Sequence, residues 1–189
     1  MPNFAKVVLG GDVQVFQLLV STFVAGIALG SLLCERLSGR GIEIGLVPFG
    51  AFGLSAFAVD LYFAAAPGAR AEWVGAGEFL ARSGSVRLCV DLARIAMFGG
   101  FYIVPLYALI QHQSEPSHRS RVIAANNILN AAFMVAAAGV AIALLASGLS
   151  IPELFLVLAI MNAAVAYYIF KLVPEFLMRF IVWALVHSI

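Results

Sequence analysis

The chain has 189 residues, of which 63% are hydrophobic and 11% charged, and its mean hydropathy is +1.02. A soluble domain carries about 25% charged residues, so this composition excludes a water-soluble globule and calls for an integral membrane protein. A net charge of +1 supplies no basic field for a nucleic-acid partner.

A bilayer-crossing helix needs roughly 20 mostly apolar residues. The first such run is Val13 to Leu33, which contains no charge. It is too long for the apolar part of a signal peptide, and no basic segment precedes it. Gly26 and Gly30 are spaced i,i+4, a small-residue face that lets a second helix approach closely, either as fixed packing or as a moving interface. The next stretch, "GSLLCERLSGRG", reads as a loop carrying Gly30, Glu35, Arg36, Gly39 and Arg40. Its residue types suit either a plain cytoplasmic turn or a conformational loop whose acid meets a helix N-terminus.

The second span is expected over Ile42 to Ala66, with Asp60 well inside it. A Gly- and Ala-rich loop follows, "PGARAEWVGAGEFLARSGS", whose middle could form a short surface helix. The third span is expected over Val86 to Gln111 and places Asp91 and Arg94 one helical turn apart. An Asp or Arg at mid-membrane costs roughly 2.5–3.5 kcal/mol, and an i,i+3 acid–base pair offsets part of that. With Asp60, this pair either stitches helices together or belongs to a polar pathway. Gly99, Gly100 and Pro105 then interrupt the same span, as a hinge or as an ordinary kink.

The fourth span is expected over Val122 to Ala146 and opens on "RVIAANNILN". Asn126, Asn127 and Asn130 share one helical face. Amides facing hydrocarbon cost several kcal/mol each, so that face must look at protein or water, as interhelical glue or as the lining of a vestibule. Ser117 or Ser120 could cap this helix. The fifth span is expected over Pro152 to Leu172. The tail "PEFLMRFIVWALVHSI" is apolar but short, and Arg179 and Trp183 suit a helix lying at the interface. The result is an all-α, polytopic bundle of about five membrane helices plus an interfacial helix.

Lys and Arg bias sets orientation. Arg36, Arg40, Arg119, Arg121, Lys171 and Arg179 fall on one side, and Lys6, Arg70, Arg82 and Arg87 on the other. The first side is expected to be cytoplasmic, with the N-terminus outside and the C-terminus inside.

Catalytic patterns are missing from the sequence. None of His112, His118 and His187 has an aspartate at the spacing an acyltransferase needs. No nucleophile elbow, P-loop or dinucleotide fingerprint occurs, and no residue set has metal-ligand spacing. Cys34 and Cys89 read as small buried apolar residues. The expectation is a protein that is not an enzyme, with no catalytic residue, metal or cofactor.

The segments "GSLLCERLSGR", "ERLSGRGIEIGLVPFG", "GGFYIVPLYALIQ" and "RVIAANNILNAAF" together resemble the lysophospholipid transporter family of the major facilitator superfamily. The likeness is strongest to the transporter module that many Gram-negative bacteria fuse to a phospholipid acyltransferase and an acyl-carrier-protein ligase. It covers nearly the whole chain. Glu35 and Arg36 match the acid and base of the superfamily's Gly-x-x-x-Asp-Arg-x-Gly-Arg loop, with one extra residue after Gly30. The resemblance implies that residues 1–173 are helices eight to twelve of a twelve-helix carrier. It implies that residues 174–189 lead toward an acyltransferase domain and that the N-terminal half of the carrier is a missing partner. The implied function is to flip lysophospholipids across the bacterial inner membrane for re-acylation. The alternatives are a membrane anchor for an acyltransferase, fused or separate, and a general small-molecule facilitator.

Overall fold

The computed structural model describes residues 3–38, 43–65, 73–172, 174, 175, 178, 181, 182 and 185. The described residues are helical apart from their connections and one isolated bridge between Gly11 and Val74. A short π-helical segment, Phe4–Val8, precedes α1 (Val13–Ser38), α2 (Leu46–Ala64), α3 (Ala76–Ala81), α4 (Ser85–Gln113), α5 (Arg119–Ala146) and α6 (Ile151–Leu172). All but α3 are long and apolar enough to cross a membrane. The chain is thus an all-α, multi-pass membrane bundle, as its composition requires.

Local signals explain several helix ends. The Asp12 carboxylate accepts hydrogen bonds from the backbone N–H of Gln14 (2.7 Å) and Val15 (3.2 Å) and so caps α1, satisfying donors that no helical carbonyl reaches. Ser150 and Glu153 form a reciprocal capping box at the head of α6: Ser150 N–H donates to Glu153 Oε2 (2.7 Å), and Glu153 N–H donates to Ser150 Oγ (3.4 Å). The start of α5 departs from expectation. His118 occupies the cap position with no side-chain hydrogen bond to the helix. The Ser117 hydroxyl turns instead to His118 Nδ1 at 2.9 Å.

The largest departure concerns the expected loop after the first span. Helix α1 continues through Gly30, Glu35 and Arg36 to Ser38, so these three residues are not loop positions. The run "SLLCERL" is made of helix-compatible residues and contains no breaker. Cys34 is buried beside Leu46 and Phe101, which holds the extra turns in place. Gly39 and Arg40 lie outside the described residues.

Helix α4 is central. Both α1 and α2 pack along it, α6 packs on α2, and α5 touches α4 and α6 only sparsely. The α1–α4 contact is made backbone to backbone. A Cβ on Gly30 would overlap Met97, with its Cα at 2.8 Å, and one on Gly100 would meet the Gly30 carbonyl carbon at 2.9 Å. The small-residue face therefore forms a close helix crossing. Helix α4 runs unbroken through Gly99, Gly100 and Pro105, and both Gly100 and Pro105 are buried against neighbours. On the α2 side, Phe49, Phe57, Phe98 and Phe101 interlock with ring centroids 5.0–5.6 Å apart, a spacing at which edge and tilted ring contacts add to burial.

One end of the bundle is closed by the N-terminal segment. Asp12 N–H donates to the Val74 carbonyl (3.0 Å) and Val74 N–H to the Gly10 carbonyl (3.0 Å). Beneath this bridge Phe4, Leu9, Leu61, Val74, Phe79 and Leu88 form a continuous buried cluster. The short helix expected within the connecting loop is α3, anchored there by Phe79.

Helices α2 and α6 are also joined by one amide. Asn162 Nδ2 donates to the Ala51 carbonyl (3.0 Å) and to Ser55 Oγ (2.9 Å). Replacing Asn162 with Leu is expected to cost about 0.6 kcal/mol and at most about 1.7, the average and maximum found for interhelical hydrogen bonds in a membrane protein. Thermal denaturation in detergent reads this as a small fall in Tm, and Asn162→Gln is expected to recover only part of it.

In the tail, the described members of 174–189 are helical and exposed, while Arg179 and Trp183 lie outside the described residues.

Candidate functional site

Helix α4 carries Arg87, Asp91 and Arg94 at i, i+4 and i+7, a spacing that stacks them on one face. Across from them α2 presents Asp60. The Arg87 Nη2–H donates to Asp60 Oδ1 in a direct ion pair. Arg87 Nε also lies 3.9 Å from Asp91 Oδ2, and Arg94 Nη1 lies 3.9 Å from Asp91 Oδ1. The Arg94 guanidinium sits 5.1 Å over the Phe57 ring of α2, a cation–π contact.

Burial within this cluster is uneven. The Asp91 side chain is 1% exposed, against 56% for Arg87 and 49% for Arg94. Both Asp91 carboxylate oxygens lack a hydrogen bond among the described residues. The guanidiniums are therefore held near Asp91 by charge while several of their N–H donors stay uncommitted. The cluster contains two acids and two bases, which balances its formal charge. Such balance is what makes ionic groups tolerable inside a span.

On the same two helices, and bordered also by α1 and α6, lies an apolar chamber of about 370 Å³. Phe23, Leu54, Leu61, Leu92, Ile95 and Phe155 are among its lining residues. Asn162 also lines it, with its Nδ2 already donating to α2. A cavity of about 150 Å³ lined by such residues stays dry and holds benzene. The space here is larger but open on one side, an apolar groove rather than a sealed cavity.

The structure thus brings Asp60, Asp91 and Arg94 together. The residue that joins them, Arg87, reads in the sequence only as one of the boundary bases. Its signal was available in the i,i+4 spacing to Asp91. Asn126, Asn127 and Asn130 are not part of this cluster. Asn130 Nδ2 donates to the Tyr107 hydroxyl of α4 at 2.8 Å, and Tyr107 is about 24 Å along the helix from Asp91 at 1.5 Å per residue. Asn126 is half-buried, Asn127 is exposed, and no residue of α5 is buried. Of the three amides, then, Asn130 serves as interhelical glue. No group of three or more metal-ligating side chains occurs among the described residues.

Compared with protein-family models, curated proteins and solved structures, the chain matches none.

Proposed function

We propose that this chain is the C-terminal part of a secondary carrier that moves lysophospholipids between leaflets of a bacterial inner membrane, with its C-terminus in the cytoplasm. The observation that carries the reading is the placement, on the same pair of spans, of a charge-balanced ionic cluster and an apolar chamber. Asp60 stands at the same height on α2 as the pocket-lining Leu61, and Asp91 at the same height on α4 as the pocket-lining Leu92, each acid on an adjoining face of its helix. A single-chain phospholipid has the same two parts, a charged head and one acyl chain. The resemblance of "GGFYIVPLYALIQ" and "RVIAANNILNAAF" to the lysophospholipid transporters supports the same substrate class.

In this reading the chain itself is not an enzyme. It supplies one side of a pathway that a second helical half completes, because such carriers rock two halves around a midplane site. Re-acylation belongs to a fused or separate acyltransferase and acyl-ACP ligase. Residues 174–189 lead toward that partner.

The test is a flip assay on inner-membrane vesicles carrying the complete gene product. Labelled lysophosphatidylethanolamine is expected to become accessible to the opposite leaflet faster than in vesicles lacking the protein. Equal rates would refute the reading. Acceleration of an unrelated sugar or drug instead would favour a general facilitator.

A further inference from the structure

The Arg94 guanidinium lies about 14 Å along α4 from Ser85 at 1.5 Å per residue, inside an apolar span. No hydrogen bond from it to any acceptor occurs among the described residues. Its contacts are the Phe57 ring and the Asp91 carboxylate at 3.9 Å, which is beyond hydrogen-bond length. An arginine within a span faces a bundle interior or a wet cavity and pairs there, so these donors call for an acceptor. The guanidinium fork matches the oxygens of a carboxylate or a phosphate. Within a bilayer the abundant oxyanion of that shape is the lipid phosphodiester.

We propose that Arg94 is the phosphate-binding residue of a subsite for a zwitterionic phospholipid head, with Asp91 as the residue that positions it. Two features favour a zwitterion over free inorganic phosphate. First, Asp60 and Asp91 already balance the charge of Arg87 and Arg94, so a head of zero net charge leaves that balance intact, whereas a multiply charged anion upsets it and meets two carboxylates as well as two guanidiniums. Second, Phe57 covers one face of the guanidinium and leaves its N–H edge for the ligand, while the apolar pocket borders the same two helices at Leu61, Leu92 and Ile95 and offers a bare ion no polar partner beyond Asn162. Asp91 contributes by being buried and short of hydrogen bonds. It attracts both arginines without consuming their donors.

The subsite rests on the amphiphile reading for its substrate class, but its readout is binding. A protein that binds as described without flipping would overturn the transport reading alone. The experiment measures the Tm of the full chain in a non-ionic detergent with three additives: lysophosphatidylethanolamine, a monoacylglycerol of the same chain length, and inorganic phosphate. At a hundredfold excess over its Kd the lysophospholipid is expected to raise Tm by about 5–10 °C, and the other two are expected to leave it unchanged. Arg94→Gln is expected to abolish the shift and Arg94→Lys to retain part of it. If Arg94→Gln fails to fold, phosphorus NMR of the lysophospholipid replaces it: line broadening by wild type that Arg94→Lys weakens supports the subsite. An equal shift from the monoacylglycerol, or a full shift in Arg94→Gln, would overturn the proposal. A shift from inorganic phosphate alone would identify a free-anion site and overturn the lipid assignment.

Discussion

Gly30→Val is expected to be among the most damaging single substitutions in this chain. The new side chain would drive into the Met97 backbone of α4, where no flexible side-chain end can yield. Overpacking typically costs 1–3 kcal/mol, and a clash against backbone belongs at the top, about 3 kcal/mol. For a chain of this length that lowers Tm by roughly 6–12 °C. Two neighbours sharpen the test. Gly100→Ala meets the Gly30 backbone from the other side and is expected to be nearly as harmful. Gly99→Ala has only the Leu54 side chain at 3.9 Å and is expected to be neutral. Gly139→Ala in α5 meets nothing within 4 Å and is expected to hold or slightly raise Tm, since helical alanine outranks glycine by about 0.5–1 kcal/mol. Equal tolerance at positions 30 and 139 would contradict a backbone-tight crossing.

The second large effect is expected at Arg87. Arg87→Gln removes the direct partner of Asp60 and one of the two cations beside Asp91. It leaves two carboxylates on facing spans with Arg94 alone to compensate, and like charges brought together in a membrane are destabilising. The single variant is expected to lose several degrees of Tm and much of its yield in membranes. The double variant Arg87→Gln with Asp60→Asn is expected to recover most of both, because the stranded acid is gone. A double-mutant cycle on thermal unfolding isolates the coupling. Additive losses would show that the ion pair contributes nothing beyond its separate members.

The architecture was legible because hydropathy over 20 residues is a direct reading of solvent. Each of the five expected spans coincides with a helix to within a few residues, except at the end of α1. There the charges of Glu35 and Arg36 suggest a boundary that the helix passes through. Glu35 and Arg36 are good helix formers, however, and buried Cys34 continues the packing. Charge marks where a helix leaves hydrocarbon rather than where its hydrogen bonding stops.

The cluster was half legible. Asp91 and Arg94 declare themselves by cost and spacing, and Asp60 by cost alone. That Asp60 meets Arg87 depends on how α2 and α4 are placed against each other, which Gly50 decides by admitting the Tyr102 backbone. No periodicity within one segment encodes that approach. Asn162 was equally silent, being one amide in an apolar run whose partners, Ala51 and Ser55, lie more than a hundred positions earlier. For α5 the amide pattern indicated a protected face, yet Asn130 alone of the three amides finds a hydrogen-bonding partner among the described residues, on α4.

The Asp60–Arg87 pair also has a temporal side. Its members are 27 positions apart, and synthesis proceeds at about 5–20 residues per second. Asp60 therefore leaves the ribosome roughly one to five seconds before the guanidinium that neutralises it. During that interval α2 is a hydrophobic segment with an uncompensated acid, a state the insertion machinery must shelter until α4 arrives. The order of synthesis thus sets the order of neutralisation: the acid of α2 comes first and its counter-charge on α4 follows.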